Sequence, residues 1–494
     1  MLLTKHYRSA DGDEYVTEQR PCRNQLYQIS NFMSRGEVVF RMDSANVLLI
    51  TVDSLRADHT SCLAYEENID PRLAELGERG AIFRQAISNG PNTTASFPSI
   101  LTGAHSATYG PYGICGTDSP FLSRSLRDVG YTTFGYHSNP HLGTEQRYPT
   151  GFDQYNDVVE GGESAAAVAS FKDKIDKRLP TNSLLYRLLR RAWHYFTMST
   201  DNSSYARAGT ISDRAIDWLE QGRNDDPFFG WLHYMDVHYP FDPPEEIYAD
   251  LPHNQISKMR RITLNAKMQE RPDEMTDADI RDLLKLYDAE IRYTDSQIGR
   301  VLDTLEEQGL LDDTIVIVTA DHGEAFGEHG SFGHHPYPYE ELVRVPLIVS
   351  GPGVESTTVD QQVSLLDLAP TVLDLVDVET PTQMEGASFA PALAGGTIDD
   401  RVAMTISDNA TLYGCRTNDW KYITRRDGQE SSLYDLQADP DEEIDVQDNH
   451  PEVASRFFEI ISEYTERVDT DNEATIDHSP EVKQRLEDLG YVEE

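Results

Sequence analysis

The run Thr314-Ile-Val-Ile-Val-Thr-Ala320, broken at once by Asp321, His322, Gly323 and Glu324, constrains this chain more than any other stretch. A continuous row of apolar and β-branched residues has no wet face, so it predicts a strand buried on both sides of a sheet. The polar residues and Gly323 mark where that strand stops and a loop begins. Open α/β sheets gather their ligands in the crevice beyond the carboxyl ends of such strands. A carboxylate and an imidazole delivered there side by side could supply half of a divalent-metal site.

The pattern recurs along the chain. Asn46-Val-Leu-Leu-Ile-Thr-Val52 predicts another buried strand, ending on Asp53. Residues 71–80 have helical apolar spacing and a closing glycine. Residues 81–87, 131–136, 227–233 and 345–350 read as strands, while 123–130 and about 275–309 read as helices. Strands alternating with helices predict an α/β fold, a mainly parallel sheet sandwiched by helices. From about residue 395 short strands and turns take over. The expected division is a polar arm (1–45), a main α/β domain (46–394) and a smaller C-terminal α+β domain with an acidic tail (395–494). Seven of the 42 basic residues crowd into 165–200, and 184–196 alternates apolar and basic residues at helical spacing. That insertion reads either as an amphipathic helix packed on the body or as a peripheral docking surface for a membrane or polyanion.

Charge narrows the partners. A net charge of −43 repels phosphate backbones, so nucleic acid is not an expected partner. With 38% hydrophobic residues the chain is not compositionally disordered. Its dispersed acidity resembles that of haloarchaeal cytosolic proteins, whose carboxylate-rich surfaces stay hydrated in concentrated salt. Cys22, Cys62, Cys115 and Cys415 are far apart and read as free thiols rather than a disulfide framework. The first residues have no apolar core and no run reaches the ~18–20 residues that span a bilayer, so no transmembrane segment and a cytoplasmic location are expected.

Asp53, Thr93 in Gly90-Pro-Asn-Thr-Thr-Ala-Ser-Phe-Pro-Ser-Ile-Leu-Thr-Gly103, and the Asp321-His322 pair are the residues on which the chemistry converges. Around them run further motifs in order: Asp321-His-Gly-Glu with Gly327-Glu-His-Gly, Tyr339-Glu with Arg344-Val-Pro, Asp367-Leu-Ala-Pro-Thr371, and Leu433-Tyr-Asp-Leu with Asp439-Pro. Over about residues 46–446 this order resembles the sulfatase family of the alkaline phosphatase superfamily. The resemblance implies that family's α/β fold and a metal-dependent hydrolase of sulfate or phosphate esters, acting on a small-molecule or glycan ester. Transfer to an alcohol acceptor, and phosphodiester or phosphonate monoester hydrolysis, are the alternatives.

Transferred position by position, the resemblance implies one divalent ion held by Asp53, Asp321, His322 and Thr93, with Ca²⁺, Mn²⁺, Mg²⁺ and Zn²⁺ all open. Thr93 occupies the nucleophile position, counted back from Thr102-Gly103. Many sulfatases place there a Cys or Ser, in Cys/Ser-x-Pro-x-Arg, that is oxidised to formylglycine. No cysteine of this chain has that context, and Ser96-Phe-Pro-Ser lacks the arginine, which leaves Ser96 as a secondary candidate. A threonine ester cannot expel sulfate by breaking its own C–O bond, so sulfate and phosphate esters both remain open. Asn139 stands where many sulfatases have a lysine, and His141 matches a nearby histidine; with Ser96 they are candidates for binding substrate. His238 and His334 are candidates for protonating the leaving group or contacting substrate, with His335 open beside His334 and His329 a supporting residue. Asp236 with His238 is the alternative for a second metal. Ser54 stands where many sulfatases have a second carboxylate.

Overall fold

The computed structural model describes residues 45–109, 115–116, 118–158, 205–249 and 256–468, with residues 482–483 and 485–486. Residues 1–44 of the arm and the basic insertion (165–200, including 184–196) lie outside the described residues. Among the described residues the strands in chain order are β1 (Asn46–Val52), β2 (Ala81–Ile87), β3 (Thr132–His137), β4 (Gln154–Asp157), β5 (Phe228–Tyr234), β6 (Thr314–Ala320), β7 (Ala325–Phe326), β8 (Phe332–Gly333), β9 (Arg344–Ser350), β10 (Thr357–Val359) and β11 (Val363–Ser364). They are followed by β12 (Ala403–Ile406), β13 (Leu412–Arg416), β14 (Trp420–Arg425) and β15 (Ser431–Asp435). The principal helices are α1 (Pro71–Glu78), α2 (Thr93–Thr102), α3 (Leu122–Asp128), α4 (Ala208–Asp217), α5 (Lys258–Glu270), α6 (Asp277–Glu307), α7 (Leu368–Leu375) and α8 (Pro451–Arg467).

The large sheet runs β10-β2-β9-β6-β1-β5-β3-β4, with β11 beside β2. β6, β1, β5, β3 and β4 pair in parallel, whereas β9 runs antiparallel to both β2 and β6. Every residue of β1, β5 and β6 is buried, as an unbroken apolar run demands of a central strand covered on both faces. Each fully buried Val, Leu or Ile contributes about 1.5–3 kcal/mol of hydrophobic stabilisation. The long helix α6 covers one face through a buried stripe from Leu283 to Leu305, and its start is fixed by a capping box between Thr276 and Asp279.

β12–β15 form a separate antiparallel sheet, with α8 packed on it through Phe457, Ile461 and Tyr464. This sheet also reaches into the main body. Ile406 N donates to Asn89 O at 2.9 Å, Asn89 Nδ2 to Met404 O at 2.8 Å, and Thr405 Oγ1 to Ser88 O at 2.8 Å. The loop after β2 is therefore held from the C-terminal side of the chain. Cys62, Cys115 and Cys415 are free, in line with the expectation for those thiols. No helix among the described residues is long and apolar enough to cross a membrane.

Candidate active site

Strand register assembles the site. β1 pairs with β6 so that Val52 lies opposite Ala320, and the next residues, Asp53 and Asp321, emerge side by side at the carboxyl edge of the sheet. β5 flanks β1 on the other side, and Asp53 N donates to Tyr234 O at 2.8 Å. One oxygen of Asp53, one of Asp321 and one ring nitrogen of His322 all lie within 4.8 Å of one another, and all three residues are buried.

The loop after β2 brings Thr93 to the same place. Ser88 Oγ lies within hydrogen-bonding reach of the carbonyls of Gly90 and Asp321, tying the loop to β6. Gly90 packs so closely on α2 that an added Cβ would lie 2.4 Å from the Ala95 carbonyl carbon, so a side chain there would push the helix away. Asn92 caps α2 by accepting from Ala95 N at 3.1 Å. The first helical residue, Thr93, is fully buried, with Oγ1 3.3 Å from Asp53 Oδ2 and 3.3 Å from His322 Nε2.

Electrostatics show what the cluster lacks. Burial alone would raise the Asp53 carboxyl, but the imidazoles of His233, His238 and His322 outweigh it and hold the group well below the ordinary carboxylate range. Asp321 goes the other way: burial and then the charge of Asp53 push it well up. Burial lowers His322, favouring the neutral ring. Its Nδ1 lies 2.8 Å from Gly323 O, and a carbonyl can only accept, so Nδ1 carries the proton. Nε2 then turns a lone pair toward Asp53 Oδ1 and Asp321 Oδ2, each 3.5 Å away. Three electron-rich atoms facing one another in a dry pocket fit a cation, and this O/O/N set suits a divalent metal.

The remaining candidates are placed as follows. Asn139 Nδ2 donates to Asp53 Oδ2 at 3.0 Å and its Oδ1 accepts from His141 N at 2.9 Å, so its amide orients Asp53 and the turn after β3. The His334 ring is 5.1 Å from His322 and 5.0 Å from His238, centroid to centroid, which brings His238 and His334 to the Asp53–Asp321–His322 group. The charge of His141 also acts on His334. His238 donates from Nδ1 to Tyr239 O, and burial lowers the pKa of both His238 and His334. Ser96 is buried one turn along α2, its Oγ 3.4 Å from Thr93 O, and it has no place in the Asp53–Asp321–His322 group.

Asp236 is paired with Arg207 at 2.8 Å, and Arg207 also meets Glu290 at 2.9 Å, so this carboxylate is already matched to a cation. His335 faces Glu341 at 3.7 Å, and His329 stacks on Tyr339 with centroids 3.6 Å apart. His329, Glu341 and Glu442 form a second cluster of ligand type, but Lys421 Nζ sits 3.0 Å from Glu442 Oε1 and supplies the positive charge there.

Ser54 and Glu324 were named from the sequence without a role in the site, and His233 was not singled out. Ser54 donates to Asp53 Oδ1 at 3.1 Å from a backbone with φ 61°, a left-handed conformation that costs a non-glycine residue about 1 kcal/mol. Glu324, the last residue of the Asp-His-Gly-Glu motif, is fully buried; burial pushes its carboxyl up to about 8 against a hydrogen bond from Ser54. His233 places Nε2 3.3 Å from Asp53 Oδ2. Ser54 follows Asp53 directly and Glu324 closes the Asp-His-Gly-Glu motif, and those positions were the available signal. His233 had only the oddity of a histidine inside an apolar strand.

Comparison with known proteins places the chain. The sulfatase family profile matches residues 45–378, and that of the N-sulphoglucosamine sulphohydrolase C-terminal region matches 327–469. Arylsulfatase K of Bos taurus is 28% identical over 284 residues, 49% of this chain and 52% of its own length, so the chain spans about half of that relative. An uncharacterized sulfatase, YidJ, of Escherichia coli (strain K12) is 27% identical over 372 residues, 70% of this chain and 71% of that protein. Among solved structures, one of a protein bound to its substrate D-glucosamine-2-N,6-O-disulfate superimposes with TM-score 0.65 at 20% identity, covering 87% of this chain and 100% of the other. The phosphonate monoester hydrolase of Agrobacterium radiobacter gives 0.63 at 20% identity, covering 86% and 96%. Both show the same mainly parallel sheet between helices. With the family profile matched over well over half of its 494 residues, the chain belongs to the sulfatase family.

Proposed function

We propose that this protein is a metal-dependent hydrolase of sulfate or phosphate esters that uses Thr93 as its nucleophile. The observation that carries the reading is the Thr93 hydroxyl, buried at the first turn of α2 and 3.3 Å from both Asp53 and His322. Asp53, Asp321 and His322 would hold the divalent ion, which supplies charge neutralisation for the transferred group and favours the ionised hydroxyl. Thr93 Oγ1, its proton released to solvent, then attacks phosphorus or sulfur, a new ester bond forms, and the bond to the alcohol oxygen breaks. The alcohol leaves with a proton from His238 or His334, whose rings face this pocket. Water next attacks the same phosphorus or sulfur, giving its proton to the histidine and returning Thr93 to its starting state. No oxidised side chain takes part.

Sulfate and phosphorus esters both fit this sequence of bonds, and the fold neighbours include a protein with a disulfated glucosamine as its substrate and a phosphonate monoester hydrolase. A glycan or other small-molecule ester is the substrate class this supports, and the strongly acidic composition supports function in concentrated salt. The test is turnover of aryl sulfate, phosphate monoester, phosphodiester and phosphonate substrates with Ca²⁺, Mn²⁺, Mg²⁺ and Zn²⁺ in molar salt. Thr93→Ala should lower turnover by on the order of 10³-fold or more with unchanged circular dichroism. Full activity in Thr93→Ala would move the nucleophile to Ser96 or to water.

A further inference from the structure

His233 belongs neither to the ligand group nor to the motifs, yet it is fully buried against a metal-ligand carboxylate. Its orientation can be worked out from hydrogen-bond accounting. Thr51 lies opposite it across the β1–β5 pairing. The Thr51 hydroxyl accepts from Trp231 Nε1 at 3.0 Å, and its one proton has two acceptors in reach, His233 Nδ1 at 3.0 Å and Leu232 O at 3.3 Å. Donation to the nearer atom, Nδ1, leaves the ring proton of the neutral imidazole on Nε2. Nε2 then faces Asp53 Oδ2 at 3.3 Å as a donor. The ring is clamped by Phe97 in an edge contact at 4.9 Å and by Trp231, nearly parallel at 6.1 Å. The imidazole can neither flip nor swing away without breaking this packing.

We infer that Trp231, Thr51 and His233 form a buried relay that fixes the Asp53 carboxylate in its metal-binding orientation, so that His233 is a positioning residue for the metal site. The inference rests on the metal reading of Asp53, Asp321 and His322 above. His233, on β5, and Asn139, in the turn after β3, approach the same oxygen, Oδ2. Together they leave Oδ1 facing His322 Nε2. Outer partners that orient a metal ligand typically change metal affinity about 10- to 100-fold when removed.

The test is calorimetric titration of the metal-free full chain with Mn²⁺ and, separately, Ca²⁺, beside the melting temperature of each metal-free variant. His233→Phe keeps the ring between Phe97 and Trp231 but removes both nitrogens. It should weaken binding about 10- to 100-fold with the metal-free melting temperature within a few degrees of wild type. His233→Gln, which restores a donor toward Asp53, should recover most of the affinity. Thr51→Val should weaken binding, and adding it to His233→Phe should cost nothing further, because both changes cut one relay. Unchanged affinity in His233→Phe, with binding abolished in Asp321→Asn, would overturn the relay and leave the metal site standing. A fall in metal-free stability that tracks the affinity loss, with no recovery in His233→Gln, would also overturn it. Absence of binding by the wild-type chain would overturn both the relay and the metal reading.

Discussion

At the scale of single residues, the site is a balance of two carboxylates forced close together in a dry crevice. Asp53 is held ionised by three imidazoles while Asp321 is pushed up, an imbalance that a divalent cation would relieve. The same burial acts on His238, the candidate acid. Because burial lowers its pKa from the usual value of about 6.5, the protonated ring that can donate to a leaving alcohol is lost at a lower pH than a free imidazole would lose it. The sign follows directly: kcat/KM for an alkyl ester, whose alcohol leaves poorly, should fall as pH rises through that depressed value. An aryl ester, whose phenolate leaves unaided, should lack this limb. His238→Ala should cost about 10²–10⁴-fold on the alkyl ester and little on the aryl one, read from initial rates across pH. Equal losses on both would transfer the acid role to His334.

At the scale of elements, the proposed nucleophile depends on how one short helix begins. Thr93 is the first residue of α2, and Asn92 and Gly90 set the angle at which that helix leaves β2. Asn92→Ala should cost about 1 kcal/mol of stability, measured by urea unfolding. Turnover should fall further, by as much as about 10²-fold, because a displacement near 1 Å at a reacting atom has that effect. Unchanged turnover would mean that the Gly90 contact alone positions Thr93.

Much of this was legible before the structure. Asp53, Asp321 and His322 follow buried apolar runs directly, and strand ends in such a fold point to one edge, so their meeting is written in the one-dimensional pattern. The alternation of elements likewise announced the main sheet. The antiparallel course of β9 was not legible, since an apolar run such as residues 345–350 reads the same in either direction. His233 was hidden for a related reason: its partner Thr51 is 182 residues away, and only the register of β1 against β5 makes them neighbours. Asn139 shows the converse, a residue picked out by its motif position whose amide meets Asp53 itself.

At the scale of the whole molecule, the C-terminal sheet and the main sheet share one buried seam. Glu340 pairs with Arg416 at 2.9 Å and with Lys421 at 3.1 Å, and Lys421 also pairs with Glu442 at 3.0 Å. With the bonds from β12 to Ser88 and Asn89, this seam holds the loop that leads to Thr93. Over the whole surface, a net charge of −43 opposes compaction, and salt screens that repulsion over about 3 Å at 1 M. The melting temperature should therefore rise by several degrees between 0.1 M and 2 M KCl, followed by circular dichroism; a flat response would remove the case for salt adaptation. The central claim is the covalent role of Thr93, and the most direct measurement is the mass of the Thr93 peptide after acid quench during turnover of an aryl sulfate or phosphonate ester. A wild-type peptide heavier by the transferred sulfuryl or phosphonyl group, absent in Thr93→Ala, is the predicted result. An unmodified Thr93 peptide under conditions of full turnover, or the added mass on Ser96, would contradict it.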